Sequence, residues 1–443
     1  MIFYNESLPR CLLALQGCGI TIDDSITIVR DASGRLTACR NNVDDISSVE
    51  IALKDALGAY AASPAIIDGF LAESLNRDPA AKPVETDIDG RSYQFKFIDR
   101  RIVGNDWLVG PFPTAKRKTQ RIVFASLKGG VGRTTALTVA AANFAQQGLK
   151  VLAIDLDLEA PGIGSMLLSP STDKSLDNRP KYGVIDYLIE QEISGIPEEY
   201  IVDFVGNSKF HDGFIQVIPA TGRIIDDSPN DFIPKLSRAL TDGIQDGKIV
   251  PFWKKINTMI ERFEAFGNYD VVLIDARAGI SEISAAPLMT LGANLLLFGT
   301  DQQQTFLGYR YIVSYMSAQT DYGALEAGGN WRERLTFVQS KAPSTERMRE
   351  PFRNKLYDMC TDLLYEYDDS YESEDSFNFG PSEKGLFIPH DATFIKHDTA
   401  YDAFDPTLNG DQLDEEVYSG PFGRFLERLD GIVLSGTERQ NEI

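Results

Sequence analysis

Apolar and polar positions follow two different patterns along the chain. From residue 120 onward, short and almost continuously apolar runs are separated by segments with apolar residues at helical spacing. Strands that are apolar on both faces are typical of a parallel sheet covered by helices on both sides. This part is therefore predicted to be an α/β domain with a mostly parallel sheet. Its predicted strands lie at 122–127, 151–157, 213–220, 271–276, 293–300, 335–340 and 385–389.

The first part of the chain has shorter elements, which predict a smaller α+β domain. Two β-like runs flank a turn at residues 31–34, and residues 46–62 carry apolar residues at helical spacing. Asp89-Gly90 separates two further β-like runs, and this dipeptide is a strong hairpin signal.

The segment 110–121, GPFPTAKRKTQR, has the composition of a linker. We therefore expect an N-terminal α+β domain at 1–115, whose role the sequence does not reveal, and a second domain at 116–435. Acidic residues crowd the stretch at about 362–380. This stretch is predicted to be a loosely held or disordered insertion in the second domain.

Composition narrows the classes of function. The 443 residues carry a formal net charge of −22. Nucleic acid and anionic membranes attract positive surfaces, so direct nucleic-acid binding and membrane attachment are disfavoured. The four cysteines form no C-x-x-C pair, which argues against a zinc site or a disulfide framework and favours a reducing compartment. The chain has neither a secretory leader pattern nor an apolar run long enough to cross a bilayer, so we expect a cytoplasmic protein.

The strongest functional signal is SLKGGVGRTTALT (126–138), a glycine-rich turn between an apolar strand and a helical segment. Such a turn directs backbone N–H groups and the positive end of a helix at one place, where a phosphate chain would bind. Glycines let the backbone approach phosphate oxygens without a Cβ in the way. Thr134 lies where a Walker A hydroxyl coordinates Mg²⁺, and Thr135 could reach another phosphate oxygen.

The loop departs from the strict pattern G-x-x-x-x-G-K-[ST], because Leu127 replaces the first glycine and Arg133 replaces the lysine. KGGVGRTT instead resembles KGGVGKTT, the deviant Walker A motif of the MinD/ParA family of P-loop ATPases, and the resemblance extends over roughly residues 120–435. It implies that the loop binds ATP with Mg²⁺. The residues that would surround the nucleotide are Lys128, Gly129, Gly130, Val131, Gly132, Arg133, Thr134 and Thr135.

An Asp-x-Asp pair closes the next predicted strand, in VLAIDLD. Asp155 and Asp157 share one face of a strand, and beside a phosphate two carboxylates suit metal-bound water or proton transfer. The alternative is a buried strand that ends in a solvated acidic loop. The resemblance implies that Asp157 positions and polarises the attacking water close to the metal, with Asp155 as its catalytic partner.

DVVLIDARAGISE (270–282) resembles the Walker B segment of the family. By that resemblance Asp275 would hold the Mg²⁺ shell through water, and Gly279 would let the turn approach the γ-phosphate. Arg277 replaces the small residue or proline that is usual there. Two interpretations of Arg277 stay open: it neutralises phosphate charge, or it pairs with nearby acidic residues.

Two later segments carry weaker matches. VQSKAP (338–343) lies where the family contacts adenine, which makes Gln339 or Lys341 candidates for base contacts. FIPHD (387–391) resembles the final strand of the family.

Lys128 and Arg133 decide what mechanism the resemblance implies. The lysine that matches Lys128 in the family crosses a dimer interface and contacts the nucleotide of the other subunit. The resemblance thus implies a catalytic role for Lys128 and an ATP-dependent homodimer, whereas the alternative is a surface lysine in a glycine turn. The guanidinium of Arg133 does not reproduce the point charge of a lysine, so hydrolysis is expected to be weak or to need an activating partner.

These features predict an ATP-binding and ATP-hydrolysing dimerisation switch that acts on an unidentified protein partner. Members of the family position plasmids, chromosomes or division machinery. Because the charge disfavours DNA and membrane, elimination leaves a subunit of a bacterial multigene system, such as anti-phage defence. Two alternatives remain, a nucleotide-binding interaction module that does not hydrolyse ATP and a partition or positioning ATPase.

Overall fold

The chain divides into two units, Met1–Asn105 and Asp106–Ile443. The computed structural model describes residues 1–114, 117–169, 177–245, 247–320, 330–366 and 377–441. Residues 367–376 of the predicted acidic insertion lie outside the described residues.

The N-terminal unit is a five-stranded sheet with helices on both faces, in the strand order β3-β2-β1-β5-β4. Side chains alternate across each strand, so Ile28 and Val29 of β1 face different cores. Helices α1 and α2 cover the face of Ile28, and α3 covers the face of Val29. The elements are α1 (Tyr4–Gly17), β1 (Thr27–Arg30), β2 (Leu36–Cys39), α2 (Ile46–Leu57), β3 (Ala61–Ile67), α3 (Phe70–Asn76), β4 (Lys82–Ile88) and β5 (Arg91–Asp99).

Both predicted hairpins form in this unit, and the α+β prediction is confirmed. β1 pairs with β2 and β4 with β5, each in antiparallel orientation. Asp89 and Gly90 have φ values of 51° and 78°, and a two-residue type I′ turn requires positive φ at both positions. The helix predicted at 46–62 is shorter than expected because Gly58, at φ 53°, ends it and the chain continues into β3.

The larger unit contains an eight-stranded sheet in the order β15-β14-β13-β6-β12-β7-β9-β8. Its elements are β6 (Gln120–Ser126), α4 (Arg133–Gln146), β7 (Val151–Leu156), α5 (Ile163–Leu167), α6 (Val184–Ile193), β8 (Gly206–Asn207), β9 (Ile215–Ile218), α7 (Arg223–Asp227), α8 (Phe232–Ala239), β10 (Gly243–Gln245), β11 (Lys248–Val250), α9 (Phe252–Gly267), β12 (Val271–Ala276), α10 (Glu282–Ala285), β13 (Asn294–Gly299), α11 (Gln303–Ala318), β14 (Leu335–Ala342), α12 (Glu346–Leu363), β15 (Thr393–Lys396) and α13 (Glu415–Asn441).

Every strand pair of this sheet is parallel except β8 with β9, which confirms the predicted mostly parallel α/β architecture. Successive β6 residues such as Val123 and Phe124 are fully buried in two separate cores. Helices α4, α5 and α13 cover one face, and α6, α9, α11 and α12 cover the other. In the described part of the chain, no helix has the length and apolar character needed to cross a membrane.

The last strand differs from the prediction. The strand expected at 385–389 is absent, and β15 lies at Thr393–Lys396 instead. Arg428 of α13 donates to the carbonyl oxygens of Gly385 and Leu386, so these backbone groups are satisfied by a guanidinium and by turns. The apolar run at 385–389 therefore forms a loop whose carbonyl groups accept hydrogen bonds from a side chain.

The boundary between the units lies earlier in the chain than the position that the linker composition indicated. Residues that follow Asn105 already pack in the larger unit, where the indole of Trp107 donates to Ser281 O (3.2 Å). The amide of Phe112 donates to Met289 O (2.7 Å). Trp107 thus belongs to the core of the larger unit, and a backbone bond at Phe112 ties the stretch that follows it to the same unit.

Candidate functional site

The glycine-rich loop joins the end of β6 to the start of α4, at the carboxyl edge of the central strands. Gly130 and Gly132 have φ values of 73° and 82°, in the left-handed region that other residues rarely adopt. Gly132 is the N-cap of α4, and its carbonyl accepts the first helical bond from Ala136 N (3.0 Å). The amides of the first turn of this 14-residue helix are thus directed toward the loop. A Cβ built on Gly129, Gly130 or Gly132 meets no described atom within 4 Å, so the space beside each of these glycines is open.

Two predicted carboxylates lie on neighbouring strands. Asp155 of β7 and Asp275 of β12 are partners in the parallel register, and both are fully buried. Thr134, in the first turn of α4, donates from Oγ1 to Asp275 Oδ2 (2.6 Å). The strand register and the Thr134–Asp275 hydrogen bond therefore bring residues of three distant motifs together at one edge of the sheet.

Asp155 and Asp157 have different surroundings. Asp155 accepts backbone N–H bonds from Asp157, Gly162 and Ile163 (2.9–3.1 Å), so it fixes the loop that follows β7. Burial, and then the charge of Asp275, raise the pKa of Asp155. Asp157 is also buried, but its Oδ1 accepts no hydrogen bond from any described residue. Asp157 is accordingly the one of the pair with a carboxylate oxygen that has no hydrogen-bond partner among the described residues.

Arg133 turns inward, toward these carboxylates. Its side chain is 8% exposed; Nη2 lies 3.1 Å from Asp157 Oδ2, and Nε lies 3.7 Å from Asp275 Oδ1. Nη1 donates to Ala276 O at the end of β12. Burial raises the pKa of Asp275, and the positive charge of Arg133 lowers it in part. The residue at the Walker lysine position is thus an internal counter-charge in this structure.

The remaining predicted residues lie around the same edge. Arg277 forms an ion pair with Glu159, as one of its two interpretations expected. Gly279, at φ 93°, donates its N–H to Ser126 O (2.9 Å), which brings the turn after β12 against the start of the loop. Lys128 is exposed, and its Nζ lies 3.2 Å from Gln302 Oε1.

A cavity of about 60 Å³ opens beside the loop and includes Val131 and Thr135 in its lining. Lys341 lies there, whereas Gln339 lines a different cavity of about 250 Å³. The two residues would share one face of a regular strand, but β14 is irregular here, because Lys341 has a φ of 50° and the register shifts between Gln339 and Ala342. Gly132, another residue of the loop, also lines this cavity. The other lining residues were not predicted, because the final strand was expected too early; the TFIK run (393–396) was the available signal. They are Ser340, Ile395, Lys396, His397, Asp398, Tyr401, Asp402 and Phe422.

The arrangement fits Mg²⁺ held together with a phosphate ligand. Among the described residues, no cluster of three or more His, Cys, Asp or Glu side chains is arranged to hold a metal alone. Mg²⁺ typically binds one or two carboxylates together with substrate phosphates and water. Asp275 Oδ1 and Asp157 Oδ1, both buried and without a hydrogen bond from the described residues, have the oxygen chemistry that this ion requires.

Comparison with known proteins agrees with this geometry. Residues 119–307 match the sequence model of a family described as an AAA domain, and they contain the loop, β7, β12 and the three aspartates. The matched region thus supplies the loop glycines, Thr134 and the three aspartates of the site.

Similar proteins cover the chain to different extents. A protein named "Putative replication protein A" from Rhizobium rhizogenes is 28% identical over 198 residues, which are 44% of this chain and 43% of that protein. The match therefore spans less than half the length of this curated relative. The MinD cell division protein of Aquifex aeolicus is 19% identical and covers 71% of this chain and 97% of its own, with a TM-score of 0.39. A ParA family ATPase from Chlorobium tepidum TLS is 13% identical and covers 72% and 99%, with a TM-score of 0.41.

Proposed function

We propose that the protein binds Mg²⁺-ATP at Lys128–Thr135 and hydrolyses it. The observation that carries this proposal is the start of α4: left-handed glycines direct its amides into open space, next to the Thr134–Asp275 hydrogen bond. Helix N-termini of this kind bind phosphates through backbone N–H groups and the helix dipole. Thr134 and Asp275 would hold the metal, which neutralises phosphate charge when bound.

Asp157 has the geometry of a residue that orients water. Its Oδ2 is held by Arg133 at 3.1 Å, while its buried Oδ1 accepts no hydrogen bond from the described part of the chain. A carboxylate fixed at one oxygen and open at the other can accept a proton from a water in a set direction. Gly279 brings the turn after β12 against the start of the loop, and a Cβ at this glycine would meet no described atom within 4 Å.

The test is phosphate release by the purified protein. Asp157→Ala should lower the rate by about 10²-fold or more, in the range typical of losing acid–base assistance. Asp362→Ala, which removes an exposed carboxylate paired with Arg310, is the matched control and should leave the rate unchanged. Equal rates in the wild type and Asp157→Ala, with ATP still bound, would support the alternative of a nucleotide-binding module that does not hydrolyse ATP.

We further propose that ATP closes a homodimer through Lys128. The side chain is exposed at the loop and has a contact only with Gln302 among the described residues, so its ammonium is available to a second subunit. A partner protein would then sense the closed state, because the γ-phosphate makes contacts only in that state.

The biological role rests on the charge of the chain and on one relative. The net charge of −22 disfavours a broad contact with nucleic acid and supports a protein partner, as in a bacterial multigene system such as anti-phage defence. The name of the Rhizobium relative, a replication protein, favours a second candidate, a partition or positioning role on a replicon. Binding of the ATP-loaded protein to DNA at physiological salt would distinguish the second candidate from the first.

A further inference from the structure

Arg133 occupies an unusual place for the residue that begins a phosphate-binding helix. Its guanidinium lies below the loop among the ends of β7 and β12, where it contacts Asp157 Oδ2 (3.1 Å), Ala276 O and, at 3.7 Å, Asp275 Oδ1. Only 8% of the side chain is exposed. The two carboxylates and the carbonyl group of Ala276 thus hold the planar guanidinium of Arg133 away from the open space beside the loop.

The carboxylates need this cation when the site holds no metal. Asp155, Asp157 and Asp275 are at most 7% exposed, and every ion pair that these aspartates form with described residues is made with Arg133. Buried carboxylates without a counter-charge are strongly destabilising. The backbone bonds of Asp155 satisfy its oxygens but supply no full positive charge.

The same oxygens are those that would hold Mg²⁺. Asp275 bonds the Thr134 hydroxyl through Oδ2, and its Oδ1 is the oxygen nearest Arg133 Nε. Two cations that share these oxygens repel each other strongly in a site with little water. Metal and guanidinium therefore compete for the carboxylates.

We propose that Arg133 is an internal counter-cation that keeps free divalent ions out of the site and leaves the carboxylates only when a nucleotide offers it phosphate oxygens. A guanidinium can exchange a carboxylate for a phosphate because it forms directed, bidentate bonds to both. Metal would then enter together with the nucleotide. The inference rests on the proposed Mg²⁺-ATP site, and it makes Arg133 a residue that determines metal access.

The experiment measures Mn²⁺ binding to the nucleotide-free full-length protein by electron paramagnetic resonance. Arg133→Gln removes the charge but keeps an N–H donor for Ala276 O. It should bind Mn²⁺ at least about tenfold more tightly than the wild type, a conservative figure for removing a like charge at this distance. Arg277→Gln is the matched control, since its partner is Glu159, and it should bind as the wild type does.

Two outcomes would overturn the inference. One is equal Mn²⁺ affinity in the wild type and Arg133→Gln; the other is a similar gain in Arg277→Gln, which would indicate a general charge effect. If Arg133→Gln unfolds without metal, circular dichroism during Mn²⁺ titration gives the answer, because the proposal requires Mn²⁺ to restore the fold. Failure to restore it would contradict the proposal.

The proposed function is tested separately, by binding of a fluorescent ATP analogue to the wild type. Loss of that binding would remove the nucleotide site but leave the Mn²⁺ comparison valid. Normal ATP binding with unchanged Mn²⁺ affinity would remove only the role given to Arg133.

Discussion

The buried aspartates of the larger unit have different roles, although they carry the same side chain. Asp155 accepts backbone N–H bonds and shapes a loop, Asp275 bonds a threonine hydroxyl, and Asp157 keeps one oxygen without a described hydrogen bond. Asp106, at the start of the unit, is another buried carboxyl group, and it has no arginine or lysine among its described partners. These roles differ because the number and type of hydrogen-bond donors around each carboxyl group differ.

Asp106 makes the stability of the larger unit depend on pH. Burial raises its pKa to about 7, although the Trp253 N–H bond (2.7 Å) opposes the shift. Because the folded state holds a proton that the unfolded state releases near pH 4, stability should fall as the pH rises from about 4 to about 7. Asp106→Asn keeps the acceptor for Trp253 and cannot ionise, so it should stabilise the unit by about 1–2 kcal/mol at pH 8, after allowance for screening, and by much less at pH 4.

Urea unfolding at pH 4, 6 and 8 measures this effect. Asp270→Asn, which removes one exposed carboxylate, is the control for the change in net charge. A gain from Asp106→Asn that is as large at pH 4 as at pH 8 would contradict the assignment of the raised pKa to Asp106.

At the scale of elements, the start of α4 depends on a backbone conformation that glycine alone adopts easily. Gly132 has φ 82°, and a Cβ there would project into the open space beside the loop. Gly132→Ala should therefore destabilise the protein by about 1–2 kcal/mol and also weaken ATP binding by at least about tenfold. Gly148→Ala is a matched control, because Gly148 has φ 83° and equally open surroundings beyond the other end of α4.

Thermal unfolding and titration with a fluorescent ATP analogue separate the two effects. Both variants should lose similar stability, and only Gly132→Ala should lose binding. Equal ATP affinity in the two variants would show that the loop does not approach the phosphates.

The elements also show what the sequence could predict. Runs such as 122–127 and 271–276 were recognisable because strands that are buried on both faces are apolar throughout, and the structure places the KGGVGRTT loop between β6 and α4. The run at 385–389 has the same appearance, but Arg428 satisfies its carbonyl groups from α13, more than 40 residues along the chain. Neither that contact nor the direction of the Arg133 side chain follows from local spacing, because both depend on which strands become neighbours.

At the scale of the whole molecule, the charge of the chain bears on assembly. A net charge of −22 makes two subunits repel, and two bound triphosphates at one interface would add to the repulsion. Association with ATP therefore needs a local positive charge at the loop. Lys128 is an exposed cation of the loop, whereas Arg133 is buried beneath it.

We expect Asp157→Ala to bind ATP without hydrolysing it, to form a dimer with Mg²⁺-ATP and to remain largely monomeric with ADP. Adding Lys128→Ala should weaken that dimer by about 30-fold or more, because each of two symmetric sites loses a partner for a desolvated phosphate at a cost of about 1–3 kcal/mol. Lys150→Ala in the same background removes another exposed lysine of the same unit and controls for net charge.

Sedimentation velocity over a range of concentrations measures the three dimer constants. If Lys128→Ala and Lys150→Ala give the same constant, Lys128 does not cross the interface. If all three proteins dimerise equally with ADP, their association does not depend on the γ-phosphate, and the switch mechanism is wrong.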